Sequence, residues 1–402
     1  MKTEVLPLLK DCPDRCPGCQ HRDWSQAESE GQKWDWLRRQ LSPWEDVLEP
    51  VRGVENSQRV HYRNKVCLHA QWDTDHWRFG LRVRRENAEH FSDTEVIHIP
   101  KCPIHSVEIQ KRVEILSQTL PPSESFPLVY LSLSGALLTF VVKASEVDPQ
   151  IVRSLQEDYD WRGLGIEGVW LNLNPSAGHR VFSSRGWVLI WGESKASQDT
   201  LIYGPDSFQQ LIPALHQDAL REAQRFLLGP GLDSAHLAES AQRREGVRPS
   251  RPDVAIMDLY SGVGRSLQVW QQLGLPCIGV ELSGDAFECL QLNLKEAVVL
   301  RGRVSERIPQ LELWRRDHEQ FEICAYVNPP RLGLEPEVTA WLAGDARPRR
   351  LAYLSCSAGT LRRDLMQLVQ AGYHVQRILP YDFFPGTLHV ETLVLMHQKT
   401  QV

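Results

Sequence analysis

Three groups of residues in this 402-residue chain have the types and spacing to do chemistry. Cys356 lies in LAYLSCSAGTLRRD, where the apolar run Leu351 to Leu354 suits a short parallel strand and helical spacing resumes after Gly359. The thiol therefore stands at a strand's carboxyl end, the edge where open α/β sheets bind ligands, and it is a candidate nucleophile. The alternative is a small buried hydrophobe, the commonest role of a free cysteine. A second group is Cys12, Cys16 and Cys19 in CPDRCPGC, with Cys102 in IPKCPIH as a fourth soft ligand; proline and glycine between the thiols give the tight turns that a metal centre needs. Four thiolates suit a structural zinc or an iron-sulfur cluster. The third group is VAIMDLYSGVGRSLQVW followed by PCIGVEL: strand, acid (Asp258), a glycine turn at Gly262 and Gly264, helix, strand, acid (Glu281). Glycines let a backbone approach a ligand, and Glu281, at a second strand end, is placed to accept hydrogen bonds from ribose hydroxyls.

The elements that must carry these groups follow from periodicity. Apolar segments at Val254 to Met257, Val298 to Leu300, Ile323 to Val327, Leu351 to Leu354, Val375 to Leu379 and Glu391 to Met396 alternate with helical stretches, which predicts a doubly wound, mainly parallel sheet. The full dinucleotide fingerprint is missing, which favours S-adenosylmethionine over NAD. The strand at Val327 ends in Asn328, Pro329, Pro330, Arg331; two prolines cannot continue a sheet, so they hold a rigid loop at the ligand edge and set Asn328 beside the methyl donor. An amphipathic helix around Leu211, Leu215, Ala219, Ala223 and Leu227 leads into this domain, and a polar linker follows at about 233–252.

Upstream, residues 60–205 are strand-rich with one helix near Val107 to Leu120, and predict a mostly antiparallel domain with recognition duties. Near its start, Tyr62, Arg63, Asn64 and Lys65 set two cations and an amide beside an aromatic, a grouping suited to phosphate or a base edge. The 13 tryptophans permit stacking on unpaired bases, although most belong to cores. Domains are expected at 1–59 (the cysteine segment and a helix carrying Trp34, Trp36, Leu37 and Leu41), 60–205 and 206–402.

Composition bounds the reading. A net charge of −6 gives no global basic signature, so a nucleic-acid surface must be a local patch. The opening residues are too polar for a signal peptide, and the longest apolar run, Leu128 to Val142, is broken by Ser132, Ser134 and Gly135 in the manner of a β-hairpin. Nine cysteines in an unsecreted chain point to thiols and metal ligands, and a cytoplasmic monomer that engages no membrane is expected. The C-x3-C-x2-C spacing is shared with radical S-adenosylmethionine enzymes, but those leave one iron open and place the motif after a barrel strand; a fourth cysteine and a separate cofactor site favour a closed, structural cluster here.

Eight motifs, in order, CPDRCPGC with Cys102, YRNK, PDSFQQ, DLYSGVG, GVEL, NPPRLG, YLSCSAGTLRRDL and FFPGTLHVETLVL, resemble the RNA uracil-5-methyltransferase family, in particular the short bacterial type that acts on 23S ribosomal RNA and lacks an amino-terminal TRAM domain. The resemblance implies a class I S-adenosylmethionine-dependent methyltransferase domain and a 4Fe-4S cluster, in preference to zinc, on Cys12, Cys16, Cys19 and Cys102. It implies cofactor contacts at Gln210, Tyr260, Glu281 and Asn328, a nucleophile at Cys356, a general base at Glu391, and Phe208 near the target base. The partner implied is RNA, ribosomal in preference to transfer RNA. Departures fall at Ile212, where the family carries asparagine, at Arg265, at Arg303 and Val304, where an acid or amide is expected, and at Ser357 to Gly359. Methylation of an exocyclic nitrogen, or a catalytically silent RNA-binding paralogue, are the rival readings.

Overall fold

The computed structural model describes residues 12–86, 90, 93–177, 180–229 and 253–399. The segment before Cys12 and the linker expected near 233–252 lie outside the described residues. The chain divides into two compact units, one of residues 1–26 and 55–211, the other of residues 27–54 and 212–402.

Helix α1 (Gln26–Gln40) lies almost wholly in the second unit and is taken up below. The first unit is built on a seven-stranded sheet. Its strands are β1 (Lys65–Asp73), β2 (His76–Arg84), β3 (Thr94–His98), β4 (Leu128–Ser134), β5 (Leu137–Val142), β6 (Gly168–Leu173) and β7 (Trp187–Gly192), in the order β3-β2-β1-β4-β5-β6-β7. All neighbours are antiparallel except β5 and β6. The apolar run at Leu128 to Val142 is the expected hairpin, β4 pairing with β5. Helices α2 (Val107–Thr119) and α3 (Pro149–Glu157) and the small ribbon β8 (Ala196–Gln198) with β9 (Leu201–Tyr203) complete the unit. The Ser106 hydroxyl caps α2 by accepting from the Ile109 amide. Ile109, Val113 and Leu116 then face Phe79, Leu131, Phe140 and Trp161 in one apolar core.

The second unit carries helix α4 (Pro213–Leu228), then β10 (Val254–Leu259), α5 (Arg265–Gln272), β11 (Cys277–Glu281), α6 (Gly284–Asn293), β12 (Val298–Arg301), α7 (Val304–Asp317), β13 (Glu322–Val327), α8 (Pro336–Ala343), β14 (Arg350–Ser355), α9 (Ala358–Gln370), β15 (Tyr373–Tyr381) and β16 (Glu391–Gln398). The strand order is β12-β11-β10-β13-β14-β16-β15. β10 to β14 run parallel, whereas β16 slots antiparallel between β14 and β15. Every residue of β10 is buried, as a strand covered on both faces requires. Ala255, Met257, Leu259, Leu351, Tyr353, Val394 and Met396 form one core face with α7, α8 and α9.

Helix α1 packs on that same face. Leu37 and Leu41 join the core there, and Lys33 is wholly buried with its ammonium 2.5 Å from Asp382. The helix grouped with the cysteines on sequence therefore completes the parallel sheet instead, because its apolar stripe has that sheet to cover. Arg52 ties the following segment to α4 through Asp218 at 2.9 Å and Glu222 at 3.1 Å. No helix among the described residues is long and apolar enough to cross a membrane.

Removing one member of a buried ion pair strands the other charge in a dry interior. Asp382→Ala is expected to destabilise the protein by about 3 to 5 kcal/mol, and Lys33→Met with Asp382→Leu by much less; urea unfolding of the single and double variants measures the difference.

Candidate active site at the carboxyl edge of the parallel sheet

Five of the residues singled out by sequence are gathered along one edge of the second unit's sheet. Tyr260 follows β10, Glu281 ends β11, Asn328 follows β13 and Cys356 follows β14, all at carboxyl ends. Glu391 opens β16, and because that strand is antiparallel its start lies at the same edge.

The turn after β10 has a shape that suits a ligand. Tyr260 holds φ at 65°, a conformation a bulky side chain adopts only where its surroundings impose it, and its hydroxyl donates to Glu335. Gly262 follows at φ 57°, and nothing within 4 Å would meet a Cβ there. That open space lies over a turn whose amide is already aimed: the Gly262 N–H donates to one Glu281 oxygen at 2.8 Å, and the Ser283 N–H to the other at 2.6 Å. Gly264 answers to packing instead, since a Cβ would come within 2.9 Å of Leu294. Burial raises the Glu281 carboxyl above its ordinary range. Asp258 is fully buried, accepts from the Trp270 indole at 2.7 Å and is pushed up to about 6 by burial. An open cradle over glycine, flanked by an oriented carboxylate, fits the ribose end of a nucleoside cofactor.

A thiol and a carboxyl lie further along the edge. Ser355 pairs with Thr392, so the next step of the same antiparallel register brings Cys356 opposite Glu391. Burial raises the Cys356 thiol, the Glu391 carboxylate raises it further, and Arg331 opposes both through its charge and a hydrogen bond. Glu391 is only 3 % exposed, and desolvation pushes it up to about 7, again with Arg331 pulling the other way. A thiol, a carboxyl poised near neutrality and a guanidinium that acts on both form one electrostatic group.

Arg331 sits in the double-proline loop, and a set of bonds pins that loop to α9. The Asp364 carboxylate, fully buried, accepts from the Leu334 amide at 3.0 Å and the Tyr353 hydroxyl at 2.7 Å. Arg363 donates to the carbonyls of Leu332 and Leu334, and the Thr360 hydroxyl donates to the Arg331 carbonyl at 3.2 Å. In the sequence Arg331, Thr360, Arg363 and Asp364 stand inside the NPPRLG and YLSCSAGTLRRDL motifs with no assigned role. The signal was an aspartate on the apolar side of a helix that otherwise buries leucines.

The remaining candidates belong to the first unit. Gln210 and Phe208 lie in the segment after β9, Phe208 with 61 % of its surface exposed and the Gln210 side-chain oxygen buried without a hydrogen-bond partner. Lys65 donates to the Ser207 carbonyl at 2.5 Å, and Arg63 to the Lys65 carbonyl at 3.3 Å. Arg63 also lies close enough to Cys19 and Cys102 to lower their thiols. The four cysteines are brought together: Cys12 feels the charges of Cys16 and Cys102, and Cys19 those of all three others. With burial, this pushes Cys12 up to about 11 and Cys19 to about 12. Even so, among the described residues no group of three or more His, Cys, Asp or Glu side chains is arranged to hold a metal ion.

The departures have structural occupants. Ile212 is buried at the start of α4, Arg303 precedes α7 with its amide donating to Glu306 at 3.3 Å, and Arg265 adds to the desolvation that lowers the half-buried His216.

The second unit has the Rossmann-like fold of S-adenosylmethionine-dependent methyltransferases. The solved Pyrococcus abyssi tRNA (uracil-54, C5)-methyltransferase, in complex with S-adenosyl-L-homocysteine, superposes with a TM-score of 0.66 at 20% identity, over 95% of this chain and 85% of that one. The chain's relatives are RNA methyltransferases: an uncharacterized one from Clostridium tetani is 25% identical over 96% of this chain and 82% of its own, and one from Clostridium acetobutylicum is 28% identical over 83% and 70%. Residues 301–399 match the family model for tRNA (Uracil-5-)-methyltransferase.

Between its ordinary 4.5 and about 7, Glu391 is protonated in the folded protein but ionised in the unfolded chain. Folded protein therefore holds the extra proton, and stability falls as pH rises through that window by on the order of 3 kcal/mol. Glu391→Gln is expected to be more stable than the parent protein above pH 7, by about 1 to 3 kcal/mol, with the gap closing below pH 4.5. Thermal unfolding at both ends of that range checks the sign.

Proposed function

We propose that the protein is an S-adenosylmethionine-dependent RNA methyltransferase that forms 5-methyluridine through a covalent adduct at Cys356. The observation that carries this reading is the strand register that sets Cys356 against Glu391 at the edge of a methyltransferase sheet. Tyr260, Glu281 and Asn328 would hold the cofactor, and the motif resemblance assigns Gln210 of PDSFQQ to the same role. When bound, the cofactor supplies an electrophilic methyl group.

Position 5 of uracil is too weak a nucleophile to take that methyl unaided. Addition of the Cys356 thiolate to C6 makes C5 the carbon of an enolate and so activates it. Arg331 favours the ionised sulfur against burial and the neighbouring carboxylate. After methylation, Glu391 accepts the C5 proton, the C5–C6 double bond reforms and the sulfur leaves as thiolate. A carboxyl held at about 7 serves both needs: it is sufficiently basic to take the proton and sufficiently acidic to be ionised at neutral pH. The target base must leave its stack to reach both groups.

RNA carrying 5-fluorouridine is expected to trap a stable protein adduct, because fluorine cannot depart as a proton would. Denaturing electrophoresis detects it, and no adduct, or one equally abundant with Cys356→Ala, would overturn the reading. Methyl label on adenine or cytosine that is indifferent to Cys356 would favour the exocyclic-nitrogen alternative. Ribosomal RNA is the proposed substrate on the motifs, with transfer RNA the alternative; mapping 5-methyluridine in both pools from cells with and without the gene separates them.

The reading extends to a 4Fe-4S cluster on Cys12, Cys16, Cys19 and Cys102, supported by the CPDRCPGC motif and by the proximity of the four thiols. Its role is structural and no step of the reaction passes through it. Anaerobically purified protein is expected to absorb in the visible; a colourless protein carrying stoichiometric zinc would replace the cluster with a zinc site.

A further inference from the structure

A cavity of about 240 Å³ opens in the first unit among the start of α2, the β4–β5 turn and β8. It is much larger than the ~30 Å³ of a water molecule, and somewhat below the volume that drug-sized ligands occupy. Three side-chain amides line it, Asn64, Gln198 and Gln209, and each presents a buried oxygen that has no hydrogen-bond partner in the protein. Gln209 is only 7 % exposed; its nitrogen is spent on the Ser134 hydroxyl at 3.5 Å, which leaves the oxygen bare. The Gln198 oxygen lies 3.3 Å from where a Cβ of Gly135 would stand, so a side chain at that position would crowd it.

Lone pairs left bare in this way call for a donor. The charge at the wall narrows which one. Arg112 is buried, and three of its N–H groups go to the carbonyls of Gly135 at 2.6 Å, Gly165 at 2.7 Å and Leu164 at 2.9 Å. Those bonds spend three of its five N–H groups on the backbone, and with the Glu108 carboxylate at the same wall the opposite charges favour neither a phosphate nor a cation. The nearby Glu108 carboxylate is occupied by its own amide and the Ser106 hydroxyl. What remains is a neutral, donor-bearing group, and Ile109 and Tyr203 add apolar wall for a flat ring.

We infer that this cavity is a second nucleobase site, which takes an unpaired base by its exocyclic amino group, as in cytosine, adenine or guanine, and so reads RNA sequence at a position other than the methylated one. The inference rests on the RNA reading above and adds a specificity determinant to it. Uracil lacks the amino group and would set its own carbonyl oxygen against the amide oxygens.

Cytidine and uridine have the same outline and differ at that group, so the pair is the probe. Equilibrium dialysis against the full chain, saturated with S-adenosyl-L-homocysteine to fill the cofactor cradle, is expected to give cytidine binding at least about tenfold tighter than uridine. Gln198→Leu and Gln209→Leu are each expected to weaken cytidine about fivefold or more and leave uridine unchanged, whereas Cys356→Ala keeps cytidine binding intact. Equal or tighter uridine binding, binding of neither nucleoside, or cytidine binding indifferent to both glutamines overturns the inference; the comparison in the unsubstituted protein needs no variant to fold. If 5-fluorouridine RNA gives no adduct while the cytidine preference stands, the cavity survives as a base site of an RNA-binding protein. If the adduct forms and the preference is absent, only the cavity falls.

Discussion

The register between β14 and β16 is the constraint on which the candidate site depends. Two neighbouring strands running in opposite directions bring the end of one against the start of the other, so a thiol that leaves the sheet meets a carboxyl that enters it. Because Glu391 is deprived of water, its charge is poorly screened and makes the thiol harder to ionise, on top of what burial does to each group. Arg331 is the group that offsets this cost. A slip of β16 by one residue against β14 would carry Glu391 to the opposite face of the sheet and away from the thiol.

The support behind that pair is polar and buried. Asp364 is wholly enclosed yet satisfied by a backbone amide and a tyrosine hydroxyl, and it binds the double-proline loop to the helix that follows the thiol. The loop thereby has one position relative to Cys356, and Arg331 with it. A set of hydrogen bonds of this kind is worth more for fixing geometry than for adding stability, since every member must be in place before any is comfortable.

Much of this was legible in the sequence because the parallel sheet announces itself. Apolar runs of four to six residues, each ending in a residue with chemistry, located β10, β11, β13 and β14 and placed Glu281, Asn328 and Cys356 at their ends. The hairpin of β4 and β5 and helix α2 were equally plain. What the sequence hid is whatever depends on partners distant along the chain. The packing of α1 against a sheet formed hundreds of residues later leaves no local trace, and neither does the pairing of Lys33 with Asp382. The roles of Arg331 and Asp364 arise from where the loop and helix meet, and three amides converge on a cavity from segments whose order gives no hint of it.

The interleaving of the two units has a consequence for how the chain comes to be folded. Residues 27–54 belong to a body that the ribosome finishes only after the whole strand-rich unit has been made. Helix α1 must therefore wait as an exposed amphipathic segment, its lysine still hydrated, while some three hundred residues emerge, and the internal strand β16 arrives last of all. During synthesis the strand-rich unit has all its parts early and the parallel sheet has none of its closure until the end. The time between those two events is when this protein is most exposed to aggregation and most in need of a chaperone.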